Sequence, residues 1–174
     1  MLLHVCLASL NCTQRTYHLE WYCKTYDQVL FGFRSKTYEG SHSSIILVRE
    51  LLKHAGDFML PRFREVCGFV VQLYTQNSNA LRESTIQLLP ELAAYRPESF
   101  SRLYVKHSID FLLTCAKSPE LLPHTLVSIG KLCRALGTYL SDHADRVDQL
   151  LGECGYASFR HILTAAHNNR FTVH

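Results

Sequence analysis

Leu81-Arg-Glu-Ser-Thr-Ile-Gln-Leu-Leu-Pro-Glu-Leu-Ala-Ala-Tyr-Arg-Pro-Glu-Ser-Phe100 decides the fold. Leu81, Thr85, Leu88 and Leu92 recur at three and four residues, with Ile86, Leu89 and Ala93 beside them. That is the spacing of one buried helix face. The turn cluster Gln76-Asn77-Ser78-Asn79 precedes it, and any of its last three residues can cap a helix predicted over 80–95. Pro90 falls inside. An interior proline costs about 3 kcal/mol and kinks a helix. The apolar run continues through it, so the reading is one kinked helix.

Working outward, the same pattern recurs on both sides. Ile45, Val48, Leu52 and Ala55 mark a helix from residue 43, stopped by Gly56 as a residue that can take positive φ. Pro61 is placed to open the next helix, with Phe63, Val66, Val70 and Leu73 inward and Glu65 near its positive end. After the break at Arg96-Pro97, Ser99 or Ser101 caps a helix running to residue 117, with Val105, Ile109, Leu112 and Ala116 inward and Phe111 and Cys115 alongside. Ser118-Pro119 breaks again. A helix over 123–139 uses Leu126, Ile129, Cys133 and Leu136. Ser141 or Asp142 caps the last, with Val147, Leu150, Leu151 and Cys154 inward.

Six helices joined by short turns make three antiparallel pairs. The junctions within the pairs each end on an aromatic, at Phe58, Phe100 and Tyr139, which are 42 and 39 residues apart. HEAT and armadillo repeats run to roughly 40–47 residues, whereas tetratricopeptide and ankyrin repeats need about 33–34. The expected fold is therefore all-α, an α-solenoid of about three HEAT-type helix pairs over 43–154. Residues 1–42 mix aromatic and polar side chains without a clean period, allowing one helix over 26–33 and a loop over 35–44. Residues 155–174 read as an irregular tail. Authentic repeats between odd ends suggest a truncated or misjoined chain.

Composition bounds the function. Of 174 residues, 47% are hydrophobic and 19% charged, a globular balance. A net charge of +3 gives no reason to expect nucleic acid as a partner. The seven cysteines, Cys6, Cys12, Cys23, Cys67, Cys115, Cys133 and Cys154, form no CxxC pair. Several sit among helical apolar residues, as small buried hydrophobes in a reducing compartment. The apolar start of the chain lacks a basic n-region, and no stretch reaches the roughly 20 apolar residues of a membrane span. The expectation is a soluble, intracellular protein with no direct membrane insertion.

No catalytic pattern appears. The sequence contains no G-x-S-x-G, H-E-x-x-H, Walker loop or G-x-G-x-x-G, and none of the kinase motifs. His143-Ala144-Asp145 echoes a catalytic loop only superficially. His107 with Cys115, and Cys154 with His161, lack two further convergent ligands for a metal. Core cysteine and surface histidine is the simpler reading. Arg62-Phe63-Arg64 and Arg82 could form a basic patch, but a solvated helix face explains them more simply. Phe58, Phe100 and Tyr139 are better read as turn aromatics packed between helices than as partner anchors. No catalytic, cofactor-binding or metal residue is assigned, and no cofactor is expected.

The 81–100 run resembles the N-terminal HEAT region of the target of rapamycin (TOR) serine/threonine kinases, which carries a similar LLP-x-LAA-aromatic-RP-x-x-F run. In that family a helix closing on hydrophobic-x-C-x-K follows, matched here by Leu113-Thr114-Cys115-Ala116-Lys117. Phe63-Arg64-Glu65-Val66-Cys67 and the helix before Ala55-Gly56-Asp57-Phe58 are also similar. The likeness covers about 26–154 and is strongest over 62–117. The family's kinase, rapamycin-binding and FAT regions have no counterpart here, so no catalytic residue carries over. The resemblance implies a non-catalytic scaffold or docking segment of a growth- and nutrient-signalling kinase. Its partners would be subunits of a TOR-type complex. Its place would be the cytoplasm, with association to lysosomal or vacuolar membranes or to the nucleus through those partners. A free-standing HEAT or armadillo adaptor in transport or phosphatase scaffolding is the alternative.

Overall fold

The computed structural model describes the backbone of residues 2–153 and side chains from residue 18 to residue 149. The described residues are all-α: α1 (Leu2–Ser35), α2 (Tyr38–His54), α3 (Phe63–Gln72), α4 (Asn79–Tyr95), α5 (Pro97–Leu103), α6 (Val105–Cys115), α7 (Leu122–Leu136) and α8 (Ala144–Glu153). Short 3-10 turns occupy Gly56–Met59, Leu73–Thr75 and Gly137–His143. This packing of helix on helix is consistent with an α-solenoid. Among the described residues no helix is long and apolar enough to cross a membrane. Two compact units divide between Val66 and Cys67, inside α3.

In the first unit α1 and α2 form an antiparallel pair. Tyr22 Oη donates to the His54 carbonyl at 2.8 Å and Ser44 Oγ to the Val29 carbonyl at 2.9 Å. Gly32 and Gly40 meet where the chain turns back. A methyl group on Gly32 would lie 2.6 Å from the Gly40 carbonyl oxygen and would also strike Ser44 Oγ. Only two hydrogens in place of side chains allow so close an approach. The loop expected over 35–44 is thus largely helix. Lys36 takes φ 56, Thr37 Oγ1 caps α2 by accepting from Gly40 N, and Gly40, Ser41 and Ser44 serve the contact rather than a turn. The helix expected over 26–33 extends to Leu2–Ser35, its inward face including Tyr26, Val29 and Phe33.

Helix ends follow local chemistry. Gly56 takes φ 47 after α2, as expected. Pro61 does not open α3: it lies in the preceding turn, and the first helical bond of that end runs from Val66 N to the Arg62 carbonyl. Of the candidate caps, Ser78 serves α4, accepting from Leu81 N at 3.4 Å. Neither Ser99 nor Ser101 caps the helix after the break. Pro97, with φ already set, starts α5 earlier, and Ser101 Oγ donates instead to the Glu98 carbonyl. The helix expected to run to residue 117 is interrupted at Tyr104, where φ is −127. Gly137, at φ 56, ends α7 at Leu136, three residues before the expected Tyr139. Ser141 and Asp142 lie in the 3-10 turn before α8, which has its start at Ala144.

The second unit is organised by α4 and α7, its most extensively packed helices. Asn79 Nδ2 donates to Glu120 Oε2 at 2.7 Å, Glu83 faces His124 at 3.5 Å, and Ser128 Oγ donates to the Ile86 carbonyl at 2.8 Å. Each step forward along α4 is matched by a step forward along α7, so the two run parallel, offset by 41 or 42 residues. The third bond has a cause in Pro90. With no N–H at Pro90, the Ile86 carbonyl loses its normal partner four residues on. Ser128 fills that vacancy from the neighbouring helix. The inward residues read from the 81–100 run are all buried: Leu81, Thr85, Ile86, Leu88, Leu89, Leu92 and Ala93. Of those expected in α8, Val147 is buried, while the side chains of Leu150 and Leu151, and Cys154 with the tail, lie outside the described residues.

Candidate functional site

The second unit carries a surface cleft of about 350 Å³. One wall comes from the end of α3 and the turn after it, through Val71, Tyr74 and Thr75; α4 contributes Arg82. The other wall is the stripe His107, Asp110, Phe111, Thr114 and Cys115 of α6, residues that helical periodicity sets on one side. Tyr74 lies flat on Phe111, ring centroids 4.3 Å apart and planes 9° from parallel. Its hydroxyl is 2.9 Å from Ser108 Oγ. Burial pushes the Tyr74 phenol above its ordinary range, so it stays neutral. The ring pair is therefore a fixed apolar wall.

Charge is distributed unevenly around this wall. Arg82 Nε donates to the Gln76 carbonyl at 2.7 Å, which ties the guanidinium to the turn before α4. Asp110 Oδ1 pairs with Arg146 of α8 at 2.6 Å. Both partners of that pair remain nearly half exposed, so water screens it and its worth is about 1 kcal/mol or less. Cys115 is buried, and desolvation raises its thiol against the opposing influence of Arg82. A protonated, enclosed thiol is a poor nucleophile.

The residues singled out from sequence disperse. His107 and Cys115 line the same cleft, yet among the described residues no three His, Cys, Asp or Glu side chains gather as a metal site. Cys154 and His161 lie outside the described residues. Arg62-Phe63-Arg64 does not act as one basic face: Phe63 is buried, and Arg62 stacks 3.7 Å over the Phe58 ring and 5.2 Å from that of Tyr26 while donating to the Phe58 carbonyl. Glu65 accepts from Tyr26 Oη at 2.7 Å and faces Arg34 at 3.5 Å, completing that cluster in the first unit. Phe100 is core and Phe58 is half-buried beneath Arg62, but Tyr139 is 50% exposed. The three junction aromatics are therefore not equivalent. Sequence reasoning missed Tyr74 and Asp110, because their roles depend on partners 34 and 36 residues away.

The described residues define an all-α protein of helices packed on helices, with a cleft in the second unit. No protein-family model matches the chain. It is 27% identical over 139 residues to the serine/threonine-protein kinase TOR of Oryza sativa subsp. japonica, covering 79% of this chain and 6% of that protein. Against the serine/threonine-protein kinase TOR of Arabidopsis thaliana it is 26% identical over 135 residues, covering 77% and 5%. The serine/threonine-protein kinase TOR2 of Saccharomyces cerevisiae is 21% identical over 131 residues, covering 71% and 5%. The chain is a partial TOR-like segment, spanning about one-twentieth of the length of these relatives.

Proposed function

We infer that the chain is a non-catalytic HEAT-type docking segment of a TOR-type serine/threonine kinase, acting in growth and nutrient signalling. The observation that carries this reading is the parallel stacking of α4 on α7 at a register of 41 or 42 residues. Equivalent helices of successive repeats stack in this way, and the interval falls in the HEAT window of roughly 40–47 residues. Stacking consumes the inner faces and leaves an outer ridge and clefts for other proteins. Similarity to three TOR kinases supports this parent, and the setting is taken from it. Its partners are then subunits of a TOR-type complex, and its place is the cytoplasm, reaching lysosomal, vacuolar or nuclear sites through them.

The test uses the full 174-residue chain beside the matching segment of the rice kinase. Each is mixed with purified subunits of a TOR complex and run by size-exclusion chromatography. Both should co-elute with the same subunit. Co-elution of the rice segment alone would overturn the docking assignment. Incubation with labelled ATP and a general protein substrate should give no transfer; activity that follows the protein through purification would overturn the non-catalytic half.

A further inference from the structure

Arg82 is half-buried in the cleft, and its guanidinium makes no ion pair among the described residues. The two carboxylates closest in the chain or the cleft are engaged elsewhere, Glu83 with His124 and Asp110 with Arg146. The guanidinium's one hydrogen bond among the described residues uses Nε, which leaves its terminal nitrogens to offer. A fixed guanidinium beside an apolar wall presents a fork that matches a carboxylate. The cleft volume lies at the small end of ligand sites, the size of one or two side chains. Asp110 would repel an incoming carboxylate, and Arg146 neutralises it from α8.

We propose that this cleft docks an acidic peptide segment of a partner protein: Arg82 pairs with a Glu or Asp carboxylate, and the Tyr74–Phe111 wall with Val71 receives an adjacent apolar side chain. The proposal rests on the docking role argued above and names the chemistry of what is docked. Charge complementarity selects the acid and the stacked rings select its neighbour. A bare anion would use the guanidinium and leave the ring wall unused.

The full chain, labelled with nitrogen-15, is titrated with acetyl-Gly-Leu-Glu-Gly-amide, with its Gln counterpart and with sodium acetate, following Arg82 Nε–H and the Phe111 and Thr114 amides by NMR. The glutamate peptide should move all three and bind about tenfold tighter than the glutamine peptide, the scale of one charge-assisted pair. Arg82→Gln should erase that preference while the helical circular dichroism persists. Asp110→Asn, which leaves Arg82 intact, should tighten the glutamate peptide. Arg146→Gln should weaken it several-fold, and Asp110→Asn in that background should restore it. Equal affinity for the two peptides overturns the proposal, as does silence of the cleft resonances at about 10 mM peptide. Acetate reproducing every shift at the same concentration would mark a free-anion site and overturn it too. If Arg82→Gln leaves co-elution with complex subunits intact while the peptides fail to bind, the cleft falls and the docking segment stands. Loss of co-elution by the unaltered chain, with peptide binding kept, is the reverse outcome.

Discussion

At the scale of single residues, burial decides protonation, and protonation sets a pH limit on the fold. Cys67 and Cys133 are buried among apolar neighbours, and desolvation pushes each thiol up to about 12. An unfolded cysteine titrates near 8.5. The folded state therefore holds a proton that the unfolded state releases. Their contribution to stability is complete below about pH 8.5 and is lost as pH rises toward the folded values. The slope is about 1.4 kcal/mol per pH unit for each thiol between those limits. Tyr26 and Tyr74 shift in the same direction, by burial first, and steepen the loss above their ordinary range near 10. Urea midpoints should hold steady from pH 7 to 8 and then fall through pH 9 and 10. Cys133→Ala should make that fall shallower by one thiol's share. Midpoints unchanged at pH 10 would refute the account.

At the scale of elements, the interior proline and the helix beside it act as one device. Ser128 is needed because Pro90 leaves the Ile86 carbonyl without its helical donor. Ser128→Ala should strand a buried carbonyl and cost about 1–3 kcal/mol in chemical denaturation. In a Pro90→Ala background the helix can supply the bond itself, so the same change should cost well under about 1 kcal/mol. Additive costs in that double-mutant cycle would sink the explanation. Glycines give a second contrast. Gly32→Ala forces a methyl into the Gly40 carbonyl and should destabilise by about 2 kcal/mol or more. Gly130, in α7 with open space around it, should gain roughly 0.5–1 kcal/mol as alanine. Both are read from thermal and urea midpoints. These elements also show what sequence could convey. The α4 stripe was legible because its period is unbroken and Pro90 could be weighed against it. The α1 stripe was not, because exposed Trp21 and Phe31 interleave with buried Tyr26, Val29 and Phe33. Gly40 and its serines looked like a loop because small residues mark both turns and close helix crossings.

At the scale of the whole molecule, the repeat interval was legible and the cleft was not. Junction aromatics at 58, 100 and 139 gave intervals close to the register of 41 or 42 residues found between α4 and α7. The cleft is assembled from a 3-10 turn, a helix start and a helix face, and no short-range pattern reports such a meeting. That difference follows from how stacked helices hold together: each element is stabilised mainly by its neighbours, and stability is approximately a sum of local terms. The first unit has its densest packing between α1 and α2, the second between α4 and α7. Damage should accordingly stay local. In hydrogen exchange, Gly32→Ala should speed exchange of α2 amides by about tenfold or more, while α4 and α7 change by no more than about twofold. Ser128→Ala should show the opposite distribution. The two variants read together separate local opening from global unfolding, since a single cooperative transition would raise exchange in all four helices by the same factor in either variant. Uniform acceleration in both would show that the chain unfolds as one block, against the repeat architecture on which the docking role rests.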